Sequence, residues 1–530
     1  MSQPYRDYLS NDELDSELII GLVCAVGTES GQVVELLEER LGRAGYHVET
    51  VKISRDVIPQ LVNVPDCGND RFKRYSDLMD AGNSCRRLGD ENADDAILAL
   101  GAATVVAAKR RQSNQNGNAQ SEQGGDTLSG PLPKTAFIID SLKRPEEVER
   151  LRIVYPSGFV LVGIHAEEDR RRKHLVDDEG MNDEQVKVLF QRDGEESKVK
   201  HGQRVNATFH LADFFVRLTN DRERLRFDIQ RNVELWFGNP FITPTFDEHA
   251  MFFAFAAALR SADLSRQVGA VIARDSQILA TGANECPKAG GGLYWPSGNI
   301  DKDYVEPNVG VGCARDYAFG RDYRRDDGDS NRAEQLRIID RIIKAARQED
   351  STFDEKYFRT LLEKSGIKDL TEFGRVVHAE MEAILSCARN GISTVDATLY
   401  CTTFPCHNCA KHIVAAGIRR VVYVEPYPKS KALSHHDDSI SASGVSLHEE
   451  ADCVVFEPFV GVGPRRFFEL FSMNLGSSYP LIRKVKETGQ RRDWQIETAQ
   501  LRLQMKPVSY LDLELLACDA FGEKAKLKPE

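Results

Sequence analysis

The chain has 530 residues, 41% of them hydrophobic and 28% charged, with 69 Lys and Arg against 82 Asp and Glu for a formal charge of −13. That length exceeds one hydrophobic core and implies two or three domains, and the composition excludes a fibre or a wholly disordered chain. The acidic balance counts against a surface built for nucleic-acid backbones, the longest apolar stretch (Ala250 to Leu259) is too short for a membrane span, and eleven scattered cysteines with no secretory leader point to the reducing cytoplasm.

Residues 1–17 read as a polar tail. Leu18 to Val26 (LIIGLVCAV) is a β-branched apolar run of strand length, and Gly27 to Gly31 turns it into a helix over Gln32–Ala44 with Val33, Val34, Leu36, Leu37 and Leu41 at helical spacing. A second strand follows at His47–Ile53. This strand, turn, helix, strand order opens a parallel α/β domain. Further strands are predicted at Thr135–Ile139, ending at Asp140, and at Phe159–Ile164, with a short helix over Pro145–Leu151 between them. Residues 112–130 lack large apolar side chains and are expected to form a flexible insertion. Glu167 to Lys200 is charged and expected to be helical and solvated, and Leu211 to Leu235 closes a first domain over 18–238.

Asn239-Pro240 and Pro244 mark the boundary to a second α/β domain over 240–475. It is expected to begin with a helix at His249–Ala262 and strands at Val268–Ala273 and Gln277–Ala283. A long insert follows at 285–375, its second half amphipathic helix. Then come a helix over 378–389, a strand over 396–402, a helix over 406–416, and strands over 420–424 and near 452–456. Residues 476–530 form an extension with no functional reading.

The sharpest chemical signal is His378-Ala379-Glu380 followed by Pro405-Cys406-His407-Asn408-Cys409. Cys406 and Cys409 are three apart and share a helical face, and Pro405 suits the start of that helix, where free N–H groups favour thiolates. With His378 they make one nitrogen and two sulfurs, three ligands for a tetrahedral Zn2+ that keeps its fourth position for water. Glu380 lies too close along the chain to be an independent ligand and is placed to carry protons beside that water. A lone C-x-x-C, or a lone His-x-Glu, carries no such meaning; the two in this order, with strand Ala397–Cys401 between, form the signature of zinc nucleobase deaminases.

On these residues the segment 245–475 resembles the cytidine/deoxycytidylate deaminase superfamily, which implies a three-layer α/β/α fold. The resemblance also implies attack of zinc-activated water on C4 of a cytosine ring. Glu380 would take the water proton, deliver it to N3 and help protonate the leaving ammonia. Ser265 to Val271 and Gly282-Ala283-Asn284 look like that family's first two strands; by resemblance Asn284 bonds a sugar hydroxyl and Arg266 meets the phosphate. Tyr427 and Lys429 stand where related enzymes place nucleotide contacts. Lys288, Tyr294 and Trp295 are candidates to close the pocket, although core packing is the plainer expectation for the two aromatics. Cys286 and Cys313 lack the histidines that a second zinc site would need.

Near the N-terminus, Val26 to Val33 occupies the place of a strand-to-helix phosphate loop, G-x-x-x-x-G-K-[ST]. The first glycine is Val26, the lysine is Gln32 and the magnesium-binding hydroxyl is Val33. Backbone amides around Gly27, Thr28, Ser30, Gly31 and Gln32 remain able to hold an anion, so a nucleotide sensor is expected rather than a kinase. Asp140 takes a Walker-B-like place.

A degenerate P-loop kinase-like domain joined to a zinc deaminase resembles the bacterial anti-phage deoxycytidine-nucleotide deaminases, a likeness that extends through Phe456-Glu457-Pro458-Phe459 and Gly463-Pro464-Arg465-Arg466. The resemblance implies conversion of dCTP and dCMP to dUTP and dUMP, an allosteric nucleotide, an inhibitory small RNA and a homo-oligomer. An alternative is a polynucleotide cytidine or adenosine deaminase. Residues 241–480, however, hold 27 basic against 33 acidic residues, whereas such an enzyme needs a basic groove. A non-enzymatic nucleotide- or RNA-binding regulator with structural zinc leaves Glu380 without a role.

Overall fold

The computed structural model describes residues 16–530 apart from 90–92, 118–129, 195, 197–198, 296–320, 322–327, 350–353, 371, 428–429, 443–452, 477–478, 506, 527 and 529–530. The described strands are β1 (Leu18–Cys24), β2 (His47–Lys52), β3 (Thr135–Asp140), β4 (Phe159–Ala166), β5 (Phe214–Leu218), β6 (Gly269–Arg274), β7 (Gln277–Ala283), β8 (Thr398–Thr403), β9 (Arg420–Glu425), β10 (Ile440–Ser441), β11 (Val454–Pro458) and β12 (Gly461–Val462). They form two sheets in a mixed α/β architecture. The chain divides into two compact units, Met1–Glu248 with Pro458–Glu530, and His249–Glu457.

In the first unit the strand order is β12-β5-β4-β1-β3-β2, and β2, β3, β1, β4 and β5 run parallel. Every residue of β1 and β3 is buried, as expected of central parallel strands covered on both faces. The helix Gly31–Arg43 lays Val33, Leu36, Leu37 and Leu41 on that sheet. Each such side chain contributes about 1.5–3 kcal/mol by leaving water. The order places β1 between β4 and β3, so the carboxyl end of β1 is the topological switch point, where open α/β sheets bind ligands.

Three sequence expectations change in this unit. The helix Ile97–Gly117 runs through the first residues of the expected flexible insertion, because its alanine-rich face is buried along Ala99, Ala102, Ala103 and Val106; residues 118–129 lie outside the described residues. The charged stretch 167–200 is not merely solvated. Its helix Asp183–Gly194 buries Val186, Leu189 and Asp193, and Leu175 and Met181 join the same small core.

Finally, the second domain does not extend to 475. Residues 458–530 return to the first unit: Gly461 and Val462 pair antiparallel with Phe215 and Phe214 of β5. The helix Pro507–Ala525 packs on Ile97–Gly117, where Arg110 donates to Glu17 at 2.9 Å and also bonds Glu514. Tyr510 donates to the other Glu17 oxygen at 2.6 Å. This buried ionic clasp ties the extension to both the first strand's lead-in and the Ile97 helix.

The second unit has strand order β10-β11-β9-β8-β6-β7, with β6 antiparallel to β7 and β8, and β8 parallel to β9. Its core gathers Ile272, Leu399, Cys401, Ile413, Val421 and Phe456. The expected amphipathic half of the insert is present as helices Ser330–Glu349 and Glu355–Glu363, packed on each other. No helix among the described residues is long and apolar enough to cross a membrane.

Candidate functional site

Two helix starts build the centre of the second unit. His378 is the N-cap of helix Ala379–Arg389, and Cys406 is the N-cap of helix His407–Ala415. The first of these helices lies against β7 at Gly282, where a Cβ would stand 2.1 Å from the carbonyl oxygen of Ala379. Glycine is therefore required there for His378 to reach its place. Strand β8 delivers the chain through Phe404 and Pro405 to Cys406, and Cys409 follows one helical turn later.

The result is a triangle of donors. His378 Nδ1 lies 3.4 Å from Cys406 Sγ and 3.4 Å from Cys409 Sγ, and the three donor atoms all fall within 4.8 Å of one another. A tetrahedral zinc with bonds of about 2.0 Å to nitrogen and about 2.3 Å to sulfur separates such a pair by about 3.5 Å. The donor set and its spacing therefore fit zinc. Among the described residues it is the one His, Cys, Asp or Glu group that meets this criterion.

The electrostatics of the donors agree. Cys406 is pulled down to about 4, first by a hydrogen bond from the Cys409 thiol and then, against burial, by His378. His378 is raised to about 9, first by its bond to Cys406 and also by the charge of Glu380. The surroundings of Cys406 thus favour the thiolate, the form in which a cysteine ligates zinc.

Glu380 is 4% exposed, and burial is the main cause that raises its carboxyl above the ordinary carboxylate range. Its neighbour Cys401, on β8, is buried as well; burial and then the charge of Glu380 push that thiol far up. Cys401 escaped the sequence reading because a lone strand cysteine carries no spacing signal.

The other expected substrate residues are placed less uniformly. Asn284 is buried and turned inward on the chain: its Oδ1 accepts from Val268 N at 2.7 Å and its Nδ2 donates to Arg266 O at 2.8 Å. It braces the 266–268 segment. Asp263 accepts from Arg266 N at 3.1 Å and from Ser265 N at 2.8 Å, so the backbone of Arg266 is held at both its N–H and its carbonyl. The Arg266 guanidinium is half-exposed, 5.6 Å from the centroid of the Tyr427 ring and 3.7 Å from Glu425. Arg266 and Tyr427 are thereby brought together; Lys429 lies outside the described residues.

Trp295 is not core: it is 63% exposed, with the Arg260 guanidinium 3.6 Å from its ring centroid. Tyr294 is half-buried and Lys288 is exposed. Cys286 is buried outside the metal group, and Cys313 lies outside the described residues.

In the first unit, the Val26–Gln32 loop sits at the carboxyl end of β1. Gly27 adopts φ +82° with the carbonyl of Arg171 against it, a conformation that favours glycine. The loop's partners come from within the chain. Val26 N donates to Asp193 Oδ2 at 2.7 Å, and Lys143 Nζ donates to Asp193 Oδ1 at 2.8 Å and to Cys24 O at 3.0 Å. Thr28 N bonds Ala25 O, Ser30 N bonds Thr28 O, and Gln32 is held by Glu29 through both its backbone and its side chain. Gly31 is exposed at the first position of its helix, and Asp140 is buried at the end of β3. Asp193 and Lys143 had no motif to reveal them; only the fold brings them to this turn.

Residues 244–425 match the family described as the cytidine and deoxycytidylate deaminase zinc-binding region. The chain is 32% identical over 200 residues to the deoxycytidylate deaminase of enterobacteria phage T4, covering 37% of this chain and 84% of that one. It is 27% identical over 180 residues to the deoxycytidylate deaminase of Mycobacterium phage D29, covering 34% of this chain and 94% of that one. Against the deoxycytidylate deaminase of Saccharomyces cerevisiae it is 28% identical over 188 residues, covering 36% and 40%.

Proposed function

Because the chain belongs to the cytidine and deoxycytidylate deaminase family, we propose that it hydrolyses the exocyclic amine of deoxycytidine nucleotides in a zinc-dependent reaction, converting dCMP and dCTP to dUMP and dUTP. The observation that carries this reading is the triangle of His378, Cys406 and Cys409 beside a buried acid, Glu380. Relatives that share the zinc-binding region are named for deoxycytidylate, which supports the choice of substrate class.

His378, Cys406 and Cys409 would hold the zinc, which would supply Lewis acidity toward a water. Glu380 accepts a proton from water, passes it to ring N3 and then serves the departing amine. An acid whose pKa is lifted by burial suits a proton that must be both taken and given. The enclosed position of Glu380 also keeps bulk solvent from that transfer. Arg266 and Tyr427 present a cation and an aromatic face for the sugar-phosphate, and Asn284 serves them by fixing the backbone of Arg266.

The wider setting follows the resemblance and belongs to the same reading: depletion of the deoxycytidine pool in anti-phage defence, a regulatory nucleotide at the first unit, an inhibitory small RNA and a homo-oligomer. Product analysis tests the chemistry. Zinc-loaded wild type and Glu380→Ala are each given dCMP, dCTP, CMP, CTP, deoxycytidine and a cytosine-bearing single strand. Deamination of dCMP or dCTP by the wild type alone is expected. Turnover of the oligonucleotide alone overturns the reading in favour of an editing enzyme, and no turnover with zinc bound, in the presence as well as the absence of added nucleoside triphosphates, overturns it in favour of a regulator.

A further inference from the structure

A carboxylate stands beside the cation offered to the phosphate, and it is held in place. Glu425 ends β9 next to the segment that carries Cys406: its Oε2 accepts from Thr403 Oγ1 at 3.0 Å, and its backbone carbonyl accepts from Phe404 N at 2.8 Å. Its Oε1 is 3.7 Å from Arg266 NH1, an ion pair in contact but too long for a hydrogen bond. Arg266 has its backbone fixed by Asp263 and Asn284, so cation and carboxylate face each other from two braced positions. The Ser430 hydroxyl donates to Pro405 O at 2.8 Å, on the turn before the metal ligands.

An anion that approaches Arg266 meets this fixed negative charge. A neutral nucleoside loses nothing to it, a monophosphate is repelled, and a triphosphate is repelled more, because Coulomb energy grows with ligand charge. The guanidinium must also exchange its contact with Glu425 for one with phosphate. Resting on the deoxycytidine-nucleotide reading above, we propose that Glu425 is a specificity-determining residue that limits the charge this site accepts, favouring the monophosphate over the triphosphate.

The test measures affinity, so it stands apart from turnover. Zinc-loaded wild type and Glu425→Gln are titrated calorimetrically with deoxyuridine, dUMP and dUTP at low and high salt. For dUMP the variant is expected to bind about two- to fivefold more tightly, the worth of a half-exposed ion pair. The gain is expected to be larger for dUTP, absent for deoxyuridine, and smaller at high salt. Glu425→Asp keeps the charge and is expected to keep the wild-type order of affinities, which separates charge from a folding defect. Equal gains for all three ligands, no gain, or weaker dUMP binding overturns the assignment of Glu425 and leaves the deaminase reading intact. Failure of either protein to bind any of the three, together with no turnover of deoxycytidine nucleotides, overturns both.

Discussion

Two strand-to-helix turns in this protein carry phosphate-loop-like or metal-site-like sequence, and they ended differently. At the Cys406 turn the chemistry resides in side chains. The His378 imidazole nitrogen lies 3.4 Å from each of two thiol sulfurs, and all three donors fall within 4.8 Å of one another. At the Val26 turn the chemistry would reside in backbone amides, and one of them is already engaged within the chain: Asp193 accepts from Val26 N and from Lys143. A ligand set defined by residue type can be read from spacing. A backbone cradle cannot, because any buried carboxylate from elsewhere in the fold can occupy it.

The contrast can be broken at either end. The largest effect is expected from Cys409→Ser, which removes a metal donor. Zinc affinity should fall by at least about a hundredfold, beyond the cost of an outer-sphere change, and activity should fall to background; metal content after dialysis measures it. Glu380→Gln should lower kcat by about 10²–10⁴ with zinc content unchanged, because the proton carrier is lost while the three donors stay. Retained turnover in that variant would remove Glu380 from the reaction.

At the other turn, Asp193→Ala leaves a nearly buried Lys143 without its carboxylate and Val26 N–H without an acceptor. Breaking a buried pair in this way costs about 3–5 kcal/mol, read from the denaturant midpoint of the first unit. A neutral result would show that the loop is not held from within. The smallest effect is expected from Gln32→Lys, which restores the residue a phosphate loop needs. Gln32 is half-buried and bonded to Glu29, so stability should change by no more than about 0.5 kcal/mol. No phosphoryl transfer from ATP should appear, since Val33 still replaces the hydroxyl and Asp193 still holds Lys143.

The same division runs through the whole chain. Strands β1 and β3 were legible because central parallel strands are continuous apolar runs, and His378, Glu380, Cys406 and Cys409 because metal chemistry restricts residue type and interval. The strand-cysteine neighbour Cys401 and the Thr403–Glu425 bond were not legible, since each joins positions whose spacing has no period.

By itself the sequence determined strands such as β1 and β3, the family likeness and the grouping of His378, Cys406 and Cys409, all of which depend on residue identity over a few turns of chain. Only the tertiary structure decided three other things: that residues 458–530 close the first unit, that Asp193 accepts from Val26 N, and that Asn284 faces its own backbone. Each is a long-range pairing of ordinary polar or apolar residues. Their partners are selected by burial and by the need to satisfy every enclosed N–H and carboxylate, and that need arises only once the chain has folded.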